Sequence, residues 1–110
     1  GFTVGAALLT KEGKVYLGCN IENKGFSPAV CAERVALFKA VSEGETDFDA
    51  IAVVGRDKNG VYKHFCTPCG VCRQALSEFC APEFRVIFGD DTGDCEIHTL
   101  GELLPFSFEL

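Results

Sequence analysis

The cysteine pair in PCGVC, Cys69 and Cys72, is the part of the chain best suited to chemistry. Alone, a C-x2-C pair at the start of a helix suits half of a structural zinc site, a redox dithiol or two iron–sulfur ligands. Cys31 lies in the first turn of a second predicted helix, and two helix starts aimed at one point would stabilise three thiolates. Three cysteines on zinc leave the fourth tetrahedral position to water, as in a catalytic site.

Two side chains beside Cys31 are suited to act at such a site. Glu33 follows Cys31 by two residues, so it projects near the metal without having to bind it and can shuttle protons. A Cys-x-Glu segment followed at a distance by PCxxC is the known pattern of zinc deaminases, and the acid/base role of Glu33 is taken from that pattern. We expect Arg34 to donate to the sulfurs and so offset the negative charge that three thiolates give to zinc. Arg73 is a weaker candidate for this task.

The other cysteines and the two histidines are not expected to bind the metal. There are seven cysteines, so they cannot all pair as disulfides, and in a chain without a secretory signal clustered cysteines favour metal binding. Cys66 extends the pair to C-x2-C-x2-C, but the further cysteine that an iron–sulfur run has three residues on is absent. Ordinary core, surface or polar roles are expected for Cys19, Cys80, Cys95, His64 and His98.

The elements that must position these residues follow from hydrophobic patterning. Apolar, β-branched segments predict strands over 2–10, 14–22, 48–56, 61–65, 84–90 and 96–100. Helical spacing and end signals predict helices over 30–43 and 70–80 and a helical turn over 101–104, with a loop at 23–29. This order predicts a compact α/β architecture in which helices cover a mixed sheet, with residues 1–110 as a single domain.

Composition limits the partners of the chain. Its 10 Lys and Arg against 16 Asp and Glu give a formal charge of −6, which disfavours binding to nucleic acid or to an anionic membrane surface. No apolar run approaches the roughly 18 residues of a membrane span, and no secretory signal is evident, so we expect a cytoplasmic protein. The chain begins at Gly1 without Met, which suggests that an amino-terminal piece is missing.

Five segments together resemble the small, homotetrameric cytidine deaminases over essentially the whole chain. They are VGAALLT at 4–10, GCNIEN at 18–23, CAER at 31–34, PCGVCRQ at 68–74 and ELLP at 102–105. The resemblance implies a three-layer α/β/α fold with a mixed five-stranded sheet, an additional amino-terminal helix that this chain lacks, and a homotetramer.

The resemblance also implies roles for individual residues. Zinc would be held by Cys31, Cys69 and Cys72, and Glu33 would move protons. The substrate contacts would be made by Asn20 and Glu22 on the ribose, Phe2 beside the nucleoside, the backbone N–H of Ala32 on the pyrimidine carbonyl and the carbonyl of Thr67 at the leaving amine. Phe108, with Phe106 as the alternative, would reach the substrate of a neighbouring subunit. The segment NKGFSPAV at 23–30 departs from the usual pattern, which leaves the contacts of Phe26 open.

The implied reaction is zinc-dependent hydrolysis of cytidine and 2′-deoxycytidine to uridine and 2′-deoxyuridine with release of ammonia, without an organic cofactor. One alternative is a related deaminase of a free base or of a nucleoside antibiotic such as blasticidin S. A nucleotide or polynucleotide deaminase fits less well, since no cluster of Lys and Arg is available for phosphate. From another class, a non-catalytic zinc or iron–sulfur binding module stays open.

Overall fold

A mixed β-sheet forms the centre of the protein, which is described by a computed structural model over residues 1–63 and 65–109. The strands are β1 (Thr3–Thr10), β2 (Val15–Cys19), β3 (Phe48–Arg56), β4 (Tyr62–Lys63), β5 (Arg85–Gly89) and β6 (Cys95–Thr99). The helices are α1 (Ala32–Ser42), α2 (Gly70–Phe79) and α3 (Leu100–Leu103). The expected α/β class with a mixed sheet is confirmed.

The strand order brings the two helix starts together. The main order is β2-β1-β3-β5-β6, and the short β4 pairs with β3 as a sixth strand beyond the expected five. β1 runs antiparallel to both β2 and β3, and β3 runs parallel to β5. β2 and β3 are therefore parallel to each other, and α1 and α2 each begin after the carboxyl end of one of them. The carboxyl ends of parallel strands lie at one edge of the sheet, so both helices start at that edge.

The core lies between one face of the sheet and the helices. Alternate residues of β1 and β3, including Leu8, Ile51 and Val53, are at most 1% exposed and point toward this core. α1 contributes mainly small side chains to it, namely Ala32, Ala36 and Ala40 with Leu37. α2 and α3 add Leu76 and Leu100. The alanines allow α1 to lie close to the sheet, so the start of this helix is held firmly.

Several boundaries differ from the predicted ones. β3 spans 48–56 as predicted, whereas β2 ends at Cys19 instead of reaching 22, and beyond it only Ile21 pairs, in an isolated bridge with Val30. The predicted strand 61–65 is reduced to Tyr62–Lys63, and His64 lies outside the described residues. α3 begins at Leu100 because Thr99 and Glu102 form a reciprocal capping box. Within residues 1–63 and 65–109, no helix is long and apolar enough to cross a membrane.

Candidate active site

Three cysteine sulfurs converge where the two helices begin. Cys31 is the N-cap of α1, Cys69 is the N-cap of α2, and Cys72 lies in the first turn of α2. Both N-cap residues have extended backbone and make no side-chain capping bond, so their sulfurs are free to face each other. The three Sγ atoms all lie within 4.8 Å of one another. Among the residues that the structure describes, this is the group suited to hold a metal ion.

The sulfur spacing fits zinc and not a disulfide. The Sγ atoms of Cys31 and Cys69 are 3.6 Å apart. A disulfide requires about 2.05 Å, whereas zinc–sulfur bonds of about 2.3 Å give a tetrahedron with edges of roughly 3.8 Å. Cys66, the possible extra ligand of an iron–sulfur run, is outside this group. The donor set therefore suits one tetrahedral zinc ion with a fourth position open to water.

The burial of Cys72 and the negative charge of Glu33 also favour a bound cation between the three sulfurs. Burial, and after it the negative charge of Glu33, raises the pKa of Cys72 in the metal-free protein. The Cys72 thiol is fully buried, so its thiolate needs a positive partner. A bound metal deprotonates such a thiol outright. The three cysteines thus fit zinc by their chemistry as well as by their distances.

Arg34 provides a fixed positive charge beside the sulfurs, as expected. Its Nη2 donates to the Sγ of Cys31 at 3.7 Å. Hydrogen bonds to the sulfurs of Cys31 and Cys72 raise the pKa of Arg34, so the guanidinium stays charged. Its Nε is buried and has no hydrogen-bond partner among residues 1–63 and 65–109. A cation held this close lowers the electron density that the sulfurs give to a metal.

The carboxyl of Glu33 lies beside the three sulfurs, within hydrogen-bonding reach of Cys72. The residue is only 3% exposed although it is ionisable. Burial raises the pKa of its carboxyl, against the opposing hydrogen bond from Cys72. Carboxyl groups with a raised pKa can both accept and return a proton near neutral pH. A buried carboxyl with a raised pKa beside the three sulfurs is chemically able to transfer protons there.

A cavity of about 390 Å³ opens in front of these groups, a size typical of small-molecule sites. Its walls include the expected residues Asn20, Glu22, Cys31, Glu33 and Cys69. The other lining residues are Val4, Ile21, Phe26, Ala29, Val30, Arg34, Cys66 and Thr67. The structure thus brings together the residues expected at the metal, at proton transfer and at the sugar.

Three of the expected contact residues are not part of this cavity wall. Phe2 is not part of the cavity wall. Its backbone carbonyl accepts a hydrogen bond at 2.9 Å from the side-chain amide of Asn20, which is part of that wall. Ala32 is fully buried and can reach the cavity only through its backbone. Phe108 lies away from this cavity, on the outer side of α2 beside Gln74 and Glu78.

Asn20 has a structural function that the sequence did not indicate. Its Oδ1 accepts from the backbone N–H of Val4 at 2.9 Å, while its Nδ2 donates to the carbonyl of Phe2. The backbone N–H of Asn20 also donates to the carbonyl of Val4 at 3.2 Å, so the side-chain oxygen takes only the place of the Asn20 carbonyl in this strand pair and fixes the start of β1 beside the cavity. An amide has two donors and two acceptor lone pairs, so one of each stays free for a ligand.

Sequence reasoning also missed Gly18. A Cβ at this position would lie 2.6 Å from the backbone nitrogen of Ala36 and would also overlap the carbonyl oxygen of Ala32. Gly18 therefore lets β2 touch the backbone of α1 just behind Cys31 and Glu33. The available signal was a glycine inside a predicted strand, which often marks a close approach of two backbones.

The other cysteines and the histidines, which were not expected to bind the metal, lie in different parts of the fold. Cys66 is part of the cavity wall, closer to the site than expected. His98 stacks on Phe88 with ring centres 5.3 Å apart, and its Nε2 lies 3.1 Å from Glu96. Cys80 is only partly accessible, and burial raises its pKa to about 12. Cys19 and Cys95 are exposed, and His64 is not among the described residues.

Comparison with known proteins places this site in a family. Residues 1–89 match the family described as the cytidine and deoxycytidylate deaminase zinc-binding region. A cytidine deaminase of Sporosarcina psychrophila is 48% identical over 107 residues, which cover 97% of this chain and 75% of that protein. The cytidine deaminase of Halalkalibacterium halodurans is 50% identical over 107 residues, covering 97% and 77%.

A crystal structure of a cytidine deaminase from Burkholderia pseudomallei has a TM-score of 0.87 and 43% identity, and the match covers 98% of this chain and 83% of that one. A blasticidin-S deaminase of Bacillus cereus is more distant, at 35% identity over 108 residues, 96% of this chain and 76% of that protein. The matched region contains all three cysteines and Glu33. This chain belongs to the cytidine and deoxycytidylate deaminase family.

Proposed function

We propose that this protein hydrolyses cytidine and 2′-deoxycytidine to uridine and 2′-deoxyuridine with release of ammonia. Zinc-dependent deamination of cytidine is the function that the family and the site support best. The single observation that carries it is the buried carboxyl of Glu33 beside three converging cysteine sulfurs, at the floor of a cavity that is open to a small ligand.

The chemistry is divided between the metal and Glu33. Cys31, Cys69 and Cys72 would hold the zinc ion, which when bound would supply Lewis-acid activation of water. Glu33 accepts a proton from the attacking water and protonates N3 of the pyrimidine. Once the C–O bond has formed at C4, Glu33 takes the remaining proton of the added hydroxyl and delivers it to the amino group, so that the C–N bond breaks and ammonia leaves.

Arg34 supports this chemistry electrostatically. Three thiolates outweigh the charge of the zinc ion and would make the water on it less acidic. The guanidinium of Arg34, which donates to the Sγ of Cys31 at 3.7 Å, withdraws part of that negative charge. We therefore assign Arg34 the task of keeping the water acidic enough for Glu33 to deprotonate.

The proposed sugar contacts use the free groups of the cavity wall. Glu22 offers a carboxylate, and Asn20 keeps one donor and one acceptor that its bonds to the start of β1 do not use. Such groups match the ribose hydroxyls. At the other end of the nucleoside, the N–H of Ala32 belongs to the first turn of α1, which has no acceptor inside its own helix, and it would bind the pyrimidine carbonyl. Phe2 would pack beside the nucleoside.

We further propose that the active enzyme is a homotetramer. Phe26 is 98% exposed and Phe108 71% exposed, and Val15, Leu17 and Val54 add an exposed apolar area on the sheet. Such surface favours association of a chain this small. Because Phe108 is remote from its own cavity, it is suited to complete that of a neighbour, with Phe106 as the alternative. We assign the protein to the cytoplasm, with a nucleoside and not a nucleic acid or a membrane as partner.

A substrate panel tests the function. Zinc-loaded protein is assayed for ammonia release from cytidine, 2′-deoxycytidine, cytosine, cytidine monophosphate and blasticidin S. We expect turnover of the first two and very poor turnover of cytosine and the monophosphate. Preferential turnover of blasticidin S would favour the antibiotic deaminase, and bound zinc without turnover of any compound would favour the non-catalytic module. Sedimentation of the same sample tests the tetramer, which an active monomer would contradict.

A further inference from the structure

The guanidinium of Arg73 connects the loop just before α2, residues 67–69, to the end of α3. Arg73 lies on α2, one helical turn after Cys69. Its Nε donates to the carbonyl of Pro68 at 2.8 Å, and its Nη1 donates to the carbonyl of Leu103 at 2.8 Å. The Nη2 reaches the Oγ1 of Thr67 at 3.4 Å. Arg73, the weaker candidate for donating to the sulfurs, thus directs these three nitrogens to oxygen atoms of two separate segments.

The first of these segments is part of the site. Thr67 lines the cavity, Pro68 is buried, and Cys69 follows directly as a metal-binding residue. Proline has no N–H, so the backbone can be fixed at this point only through its carbonyl. Arg73 binds that carbonyl, and its own backbone N–H donates to the carbonyl of Cys69 at 2.9 Å. The loop is therefore held from within α2 at two successive residues.

The second segment is the end of α3, a helix whose position is fixed by several hydrogen bonds. Leu103 ends α3, where the last carbonyls have no partner inside the helix. The start of α3 is fixed by the capping box and by the bond from the Leu100 N–H to the carbonyl of Phe84 at 2.8 Å. A second bond joins the Gly101 N–H to the carbonyl of Pro82 at 2.9 Å. α3 is thus bonded to the segment that leads into β5, and Arg73 connects the carbonyl at its end to the loop before α2.

We infer that Arg73 is a positioning residue for the reaction, because it fixes the cavity wall at Thr67 and the sulfur of Cys69 relative to Glu33. The expected effect on kcat rests on the proposed function, whereas the expected effect on the metal-binding site does not. A planar guanidinium can donate in three directions at once, whereas a lysine ammonium on a flexible chain cannot reproduce that fork. Misplacement of reacting groups by about 1 Å costs on the order of 100-fold in rate.

The test compares Arg73→Ala and Arg73→Lys with the matched variant Arg85→Lys. Arg85 is a surface arginine paired with Asp49 at 2.9 Å and serves as the control. We measure zinc per chain, the ligand-field spectrum of the cobalt-loaded protein, and kcat and KM for cytidine, each with and without added guanidinium ion.

We expect Arg73→Ala to keep zinc, to lose about 100-fold in kcat with a smaller change in KM, and to regain at least part of the loss with guanidinium. Its cobalt spectrum should differ from that of the wild type and return toward it with guanidinium, since Cys69 follows Pro68 directly. Arg73→Lys should keep the charge and still lose at least about tenfold in kcat, and Arg85→Lys should change none of these quantities.

Wild-type kcat in either Arg73 variant would overturn the inference. So would a loss that follows zinc content and that guanidinium does not relieve, because this would indicate folding alone. If Arg73→Ala does not fold, Arg73→Lys decides the matter by the same measurements. Failure of the wild type to deaminate cytidine would refute the proposed function instead, and the cobalt spectra would then still test the positioning.

Discussion

Replacing Gly18 by alanine should displace the helix that carries the catalytic groups. The new Cβ would lie 2.6 Å from the Ala36 nitrogen, where ordinary contact begins at 3.4 Å, and 3.1 Å from the Ala36 Cβ. These are atoms of or next to the helix backbone, so no flexible side-chain end can give way. β2 and α1 must therefore separate by most of an ångström.

The cost can be estimated from this separation. Overpacking of a tight interface typically destabilises a protein by about 1–3 kcal/mol, and we expect a loss of about 2 kcal/mol in the free energy of unfolding. The displaced part of α1 bears Cys31 and Glu33, and functional constellations tolerate only about 0.5 Å of error. The variant should therefore also lose on the order of 100-fold in kcat/KM for cytidine.

Gly5→Ala is the matched control for this experiment. Gly5 lies on the neighbouring strand, opposite Cys19, and a Cβ there would meet only Val54 Cγ2 at an ordinary 3.8 Å. Urea denaturation of both zinc-loaded variants, with zinc content and steady-state kinetics, checks the prediction. Equal unfolding free energies and equal activities for Gly18→Ala and Gly5→Ala would refute the argument that Gly18 sets the position of α1.

Three further predictions concern the metal, the sugar and pH. Cys31→Ala should lose zinc whereas Cys66→Ala should keep it, which metal analysis of the purified proteins checks; the reverse pattern would overturn the ligand set. Glu22→Gln should lower kcat/KM for cytidine by about 10- to 100-fold, the value of a hydrogen bond to a charged group, while it leaves the weak turnover of cytosine nearly unchanged. An equal effect on both substrates would contradict contact with the ribose. The hydrogen bond with Glu96, and after it that with Glu102, raises the pKa of His98. The stabilisation by the charged ring is therefore complete below about pH 6.5 and is lost as pH rises through the raised pKa, so His98→Gln should be more destabilising at about pH 5.5 than at about pH 8.5 in urea melts. A difference that does not depend on pH would contradict this assignment.

The metal-binding residues were predictable because their signal is local. Cys69 and Cys72 are fixed by their spacing at a helix start, and Cys31 is fixed by the same position on another helix. The three cysteines are brought together because β2 and β3 run parallel, a direction that the order of elements implies. β3 was predicted with its correct ends because seven of its nine residues are apolar or small and turn signals flank the segment on both sides.

The features that sequence did not indicate depend on contacts between distant segments. β2 ends early because the side-chain oxygen of Asn20, and not its backbone carbonyl, accepts from the N–H of Val4, and propensity does not register that exchange. The need for glycine at 18 depends on the distance between a strand and a helix. Likewise, the bonds of Arg73 join residues 30 positions apart. None of these leaves a periodic pattern in the chain.

The role that we propose for Glu33 is to move the protons of a zinc-dependent deamination at the three-cysteine site. The most direct measurement is the rate of uridine formation from cytidine by zinc-loaded Glu33→Gln, alongside its zinc content. We expect zinc to be retained in full, because the three thiolates are untouched, and kcat to fall by at least about 10²- to 10⁴-fold, since general acid/base catalysis is removed. A variant that keeps its zinc and more than about a tenth of the wild-type kcat would contradict it.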